Sequence, residues 1–377
     1  ALRGRSQQGQ EAMGMVPTSL LLVSSPSERK VSYLELSGAA GAARPLVASG
    51  LEGPEGLAYD GASGKLYVAD PPSRRVLCYP LEARRCSGGD CHSDYELVVS
   101  GSQVVVLEDV LTSWVSVDGG GNLYFTDQVA KTIKRIDRLV LERLSSKILM
   151  ANDLRTVSEP ELGALTAVAA AAPTAAARKR AHEAVQQRLQ AAIVSLHEAS
   201  RSENIGTPGG VISDGTVVYW ANQAEGAARG CVAAGTAGLD APPGGNKTMA
   251  LSNITDAAYG IATTFSKLFF TGADGVYSIS KANRASSLVS QAVASPRGIV
   301  WDGDSTVYIA DMGGNVIYSL ACGRQGSHQP LQQVATLPGA FGLALVRPAE
   351  LTRLLDAAAA ADGTGGVSDW FSGWWSR

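Results

Sequence analysis

At 377 residues, 45% hydrophobic and 18% charged, the chain is long enough for two average domains or one large all-β domain. Its formal net charge of -3 leaves no basic footprint, which removes nucleic acid from the expected partners. No apolar run approaches the length of a membrane span, and five cysteines do not make a disulfide scaffold in a chain of this size.

Residues 1–18 are polar at the start, rich in Gln and Gly, and without periodicity; they read as a flexible tail or a strap across a partner. The start at Ala1 rather than Met predicts a processed N-terminus. From Ser19 the segments SLLLVSS, KVSYLEL and RPLVAS read as three strands of a sheet that lacks its opening strand. Residues 54–81, PEGLAYDGASGKLYVADPPSRRVLCYPL, then spell strand, turn, strand, turn, strand, and the unit extends to about Ser100. Within it Cys86 and Cys91 bracket Ser-Gly-Gly-Asp, a turn that can bring two Cα atoms to bridging distance, so this pair is the disulfide candidate.

The same pattern opens again near Thr112, with TSWVSVDGGGNLYFTDQVAKTIKRIDR. The period then changes over residues 155–192. Ser158-Glu-Pro-Glu161 forms a capping box, Pro173 breaks the Ala-rich run, and Thr174 caps a second helix, which predicts a helical hairpin inserted in the third unit. Such an insertion suits a partner contact or a cap over one end of the fold. IVSLHEA, from Ile193, returns as the unit's last strand. Further units begin at Pro208, Ala258 and Pro296, the last reading PRGIVWDGDSTVYIADMGGNVIYSLA. Asn246-Lys-Thr and Asn253-Ile-Thr fit the glycosylation sequon. Residues 339–346, GAFGLALV, are one more opening strand with no unit after it. That strand and the incomplete first sheet complete each other.

Repeats of roughly 40 to 60 residues, each of three or four strands, are blades of a propeller. The expected fold is therefore all-β: a six-bladed β-propeller over residues 19–346, closed by N- and C-terminal strands in one blade, with a helical hairpin in blade three. Residues 347–377 add a helix over Pro348–Ala361, a Gly linker and an aromatic tail. In that tail Trp370, Phe371, Trp374 and Trp375 would share one face of a helical turn. The cluster needs cover from the propeller itself, a partner protein or a membrane-water boundary.

The segments LYVAD, LYFTD, VYWAN and VYIAD, each following a Gly-led apolar strand, resemble the six-bladed propellers of the NHL-repeat, YWTD-repeat, regucalcin/gluconolactonase and strictosidine-synthase-like group. The group holds receptors, scaffolds and enzymes alike. In its gluconolactonase-like members a metal sits over the channel, held from the position before the Gly of the inner strands. That position is filled here by Glu55, Ser113, Gly209, Tyr259, Arg297 and Phe341. One carboxylate facing an arginine is a poor hard-cation site, so no metal and no cofactor is expected, and Glu55 and Arg297 are expected to pair with each other or with channel water. Asp70, Asp127, Asp311 and Asn222 are expected to accept hydrogen bonds from turn backbone. The four histidines show no ligand spacing, and no nucleophile elbow, P-loop or dinucleotide fingerprint is present. The functional expectation is a non-enzymatic interaction scaffold or accessory subunit of a larger complex with other protein subunits, with membrane-surface contact through the tail as a further option. The alternative is a lactonase- or esterase-type hydrolase at the channel mouth. Cysteine spacing and sequons point to an extracytoplasmic setting, extracellular or an organelle lumen such as the thylakoid lumen.

Overall fold

A computed structural model describes residues 18–36, 42–86, 95–142, 192–223, 232–238, 247–323 and 329–361. The chain is a six-bladed β-propeller. Blade one contains β1 (Leu20–Ser25), β2 (Lys30–Glu35) and β3 (Arg44–Val47). Blade two contains β4 (Leu57–Asp60), β5 (Lys65–Asp70), β6 (Arg75–Arg85), β7 (Tyr95–Val99) and β8 (Val104–Leu107). Blade three contains β9 (Val115–Val117), β10 (Leu123–Asp127), β11 (Thr132–Ile136) and β12 (Ile193–Glu198). Blade four contains β13 (Pro208–Ser213), β14 (Val217–Asn222), β15 (Val232–Thr236) and β16 (Met249–Ser252). Blade five contains β17 (Ala258–Thr263), β18 (Lys267–Gly272), β19 (Val276–Ser280) and β20 (Ser286–Ser290). Blade six contains β21 (Pro296–Trp301), β22 (Thr306–Asp311), β23 (Val316–Ala321) and β24 (Gln332–Thr336).

The last strand, β25 (Leu343–Val346), lies antiparallel to β1 with Leu20 opposite Val346 and Val23 opposite Leu343. It supplies the inner strand that blade one lacks. Both faces of each blade are buried, because alternate residues of a strand point to opposite neighbours. In β1, Leu20 and Leu22 enter the core shared with blade two, while Leu21 and Val23 enter the core shared with blade six. In β5, Leu66 and Val68 face blade one, and Tyr67 and Ala69 face blade three. Strand runs such as LLLV and LYVA are apolar throughout for this reason. Each fully buried Leu or Val contributes about 1.5–3 kcal/mol.

Blade two departs from the sequence expectation. It does not end near Ser100: the 11-residue β6 pairs through residues 81–85 with β7 and through residues 76–78 with β8, giving five strands. After β25 comes α1 (Pro348–Ala361), at the expected bounds, with Leu351 and Leu354 buried in the core of blades one and two. Glu350 Oε2 accepts from the Arg347 backbone N–H at 2.8 Å, satisfying one orphan donor at the helix start. The helical hairpin expected over residues 155–192 and the tails at 1–17 and 362–377 lie outside the described residues. No described helix is long and apolar enough to cross a membrane.

Candidate binding site at the channel mouth

The inner strands β4, β9, β13, β17, β21 and β25 each pair on one side only. Their free edges therefore face the central axis, and main-chain N–H and C=O groups form much of the channel wall. The channel end where these strands begin is termed upper. There the ring positions Glu55, Ser113, Gly209, Tyr259, Arg297 and Phe341 are each followed by Gly56, Trp114, Gly210, Gly260, Gly298 and Gly342.

Five of those six following positions are glycine because neighbouring blades approach backbone to backbone. A Cβ on Gly210, Gly260, Gly298 or Gly342 would collide with the carbonyl oxygen of Tyr259, Arg297, Phe341 or Glu55, and one on Gly56 would lie 2.6 Å from that of Ser113. Ser24 fastens the closing seam, donating from Oγ to the Glu55 carbonyl at 2.5 Å and accepting from the Gly342 N–H at 2.7 Å.

Blade three carries Trp114 where the others carry glycine. It is 7% exposed, its ring lies 5.3 Å from that of Phe341 at a tilt of 37°, and its indole Nε1 is buried without a hydrogen-bond partner among the described residues. Trp114 also lines a cavity of about 320 Å³ that follows the inner strands to Trp301 and Arg347 at the lower end. None of the six upper ring residues lines that cavity. The indole therefore lies at the upper end of that cavity, level with Gly210, Gly298 and Gly342, which line it too. The sequence reading missed Trp114, although alignment of the blades on their glycines shows the exception.

The upper mouth is polar. Burial pushes the Glu55 carboxyl above the usual glutamate range, opposed by a hydrogen bond with Ser113 and by the charge of Arg297. Gln128 Nε2 donates to Ser113 Oγ at 3.2 Å. Of the two expectations for Glu55 and Arg297, pairing with each other or with channel water, no direct ion pair is formed between them: the guanidinium lies over the Tyr259 ring, 4.0 Å from its centroid, and Nη1 donates to the Pro296 carbonyl at 3.0 Å. The aromatic face holds the guanidinium in the mouth, leaving further N–H donors for an incoming acceptor. Gln223 stands over Gly209, within 2.8 Å of where a Cβ would sit. The mouth therefore offers a carboxyl, a hydroxyl, two amides and a guanidinium around aromatic rings. Among the described residues, no group of three or more His, Cys, Asp and Glu side chains is placed to hold a metal.

Asp70 accepts from the Glu52 and Gly53 N–H groups at 3.1 and 2.7 Å, Asp311 from Ala294 and Ser295 at 2.8 and 2.7 Å, and Asn222 Oδ1 from Gly206 at 2.9 Å. Each ties down the loop entering its own blade. Asp127 instead accepts from Val129 and Ala130 of its own turn and from Lys134 Nζ at 2.8 Å. These side chains hold turns, as acceptors of backbone donors.

Other sequence candidates are placed elsewhere or not described. Cys86 follows β6, while Cys91 lies outside the described residues, and so does their proposed pairing. Cys78 and Cys322 carry no disulfide, and burial pushes the Cys78 thiol up to about 12. Asn253 is exposed between β16 and β17, and Asn246 lies outside the described residues. Trp370, Phe371, Trp374 and Trp375 do too.

No protein-family model matches the sequence, and no curated protein matches it. Among solved structures, the chain is similar to a component of a nidogen/laminin complex, with a TM-score of 0.54 at 12% identity, covering 87% of this chain and 98% of that one. It is also similar to a gluconolactonase from Xanthomonas campestris, TM-score 0.46, 13% identity, covering 77% and 78%, and to a streptogramin B lyase, TM-score 0.39, 11% identity, covering 84% and 72%. At such identities the likeness is one of fold alone, that of a six-bladed propeller.

Proposed function

We propose that the chain is a non-enzymatic protein-interaction module, a scaffold or accessory subunit that receives an acidic segment of a partner protein at the upper mouth. One observation carries this reading: the Arg297 guanidinium is held on Tyr259 without a carboxylate partner among the described residues. A fixed guanidinium in a partly buried cleft recognises a carboxylate with two N–H groups at once. Trp114 and Phe341 supply an apolar floor, and Ser113, Gln128 and Gln223 supply hydrogen bonds at the rim. The nidogen likeness supports the class of function and says nothing of the partner. The exposed sequon at Asn253 suits an extracytoplasmic setting.

The test is an array of carboxylate-bearing peptides with neutral isosteres. Wild type is expected to prefer the acidic members, more weakly as salt rises, and Arg297→Gln to lose about tenfold or more in affinity, or about 1.4 kcal/mol. Equal binding by Arg297→Gln rules the reading out. A hydrolase reading rests on one feature, the Glu55 carboxyl, whose pKa burial raises. Turnover of a lactone or ester that Glu55→Gln abolishes would replace the interaction reading with that one.

A further inference from the structure

The cavity beneath the upper ring is not used by the upper-mouth reading. Its volume of about 320 Å³ falls within the range of about 300–1,000 Å³ that holds small organic molecules. Its walls are the inner strands, aliphatic from Leu57 and Val211 to Ile299 and Leu345, with their free main-chain edges toward the axis. Among the described residues, Arg347 is the one ionised group in the lining, and its charge is met. Its Nη1 lies 3.4 Å from Glu350 Oε1, and its Nε donates to the Asp302 carbonyl at 3.2 Å. An ionic occupant would give up its hydration here without gaining a counter-charge.

Three residues of the lining carry a buried polar atom with no hydrogen-bond partner among the described residues: Trp114 Nε1, Ser116 Oγ and Tyr59 Oη. Such atoms are the exception in a folded chain, and each costs stability while it stays unpaired. All three can donate. The indole N–H can do nothing else, and burial raises the Tyr59 phenol above its usual range, so that it keeps its proton. Trp114 and Ser116 flank Val115, which enters the core shared with blade two. Their side chains therefore leave the opposite face of the strand, about 7 Å apart along it. Donors set in an aliphatic wall, with no unmatched charge beside them, describe what fits: an apolar body, no charge, and oxygen acceptors.

We infer that the cavity binds an uncharged, mainly apolar small molecule through its carbonyl or ether oxygens, received by Trp114, Ser116 and Tyr59. Water is the competing occupant. An organic molecule meets the aliphatic wall as well as the donors, which water alone does not.

The test uses the full chain and the uncharged fluorophore prodan, whose ketone oxygen accepts hydrogen bonds and whose emission moves to the blue on leaving water. One molecule per chain is expected to bind, with a blue shift and energy transfer from tryptophan. Methyl benzoate should displace it and ionised benzoate should not, while ethylbenzene, which has no acceptor, should need about tenfold more than the ester. Ser116→Ala and Tyr59→Phe each remove one oxygen and leave the wall in place, and each should weaken prodan about threefold to tenfold. Arg297→Gln, at the upper mouth, should leave prodan binding unchanged, which keeps this test separate from that of the acidic peptides. No blue shift at saturating prodan means that the cavity takes water only, and overturns the inference. So does benzoate or ethylbenzene that competes as well as methyl benzoate, or prodan affinity that both Ser116→Ala and Tyr59→Phe leave at the wild-type value.

Discussion

Blade three and the other five blades solve the same packing problem differently. Elsewhere the inner strand begins with a glycine whose missing Cβ makes room for a neighbouring carbonyl. In blade three the glycine is Trp114, and the corresponding ring position on blade four is Gly209. The same seam holds other exceptions. Asp127 bonds within its own turn, Arg135 reaches across to the Ala237 carbonyl, and His197 lies buried on Trp220, rings 5.4 Å apart. The uniform blades make the scaffold, and the departures concentrate at the seam between blades three and four.

The comparison can be broken most severely at the glycines. Gly342→Ala puts a methyl group into the Glu55 carbonyl at the closing seam, and it should cost about 5 kcal/mol, at the top of the range for single substitutions. Denaturant unfolding, or failure to recover soluble protein, measures this; a near-neutral effect would show that the backbone contact is not needed. Trp114→Gly, which restores the common residue in blade three, should cost about 3–5 kcal/mol through the cavity it leaves. If Trp114→Gly is as stable as wild type, the indole is not packed against its neighbours. At the same seam a Cβ on Gly235 would clash with the His197 ring, so Gly235→Ala should cost about 1–3 kcal/mol.

The pH effects are smaller and of defined sign. Burial lowers the His197 pKa, so the unfolded chain takes up its proton first, and stability should fall as pH drops below about 6.5. His197→Phe should flatten that fall. Glu55 has the opposite shift: its raised pKa means that the folded state keeps its proton longer, so stability should decline as pH rises from about 4.3 into the raised range. Glu55→Gln should remove that decline, and an unchanged pH profile would mean that the carboxyl is not shielded from water.

The blade starts at Pro208, Ala258 and Pro296 are legible in the sequence because a Gly two positions on is required by backbone contact. The pairing of β25 with β1 is legible for a related reason: an opening strand with no sheet and a sheet with no opening strand can only complete each other. The extra strand β8 is less legible, since nothing in a short apolar run such as VVVL says which half of a long neighbour it will join. The ring positions could be found by alignment, but the partner of Arg297 could not. Tyr259 and Glu55 are both within reach in a ring, and the sequence holds no information on which one the guanidinium chooses. Trp114 is legible only as the one blade start that lacks the glycine.

The clasp between β1 and β25 joins residues more than 300 positions apart, as in the Gly342 N–H to Ser24 Oγ bond. A growing polypeptide must therefore hold an unfinished sheet, with two greasy flanks uncovered, until β25 has been synthesised. Any messenger truncated ahead of Leu343 yields a product that chaperones and proteases should treat as damaged. A rearranged propeller, with β25 linked directly to β1 and new ends cut between two blades, should still give a sound wheel.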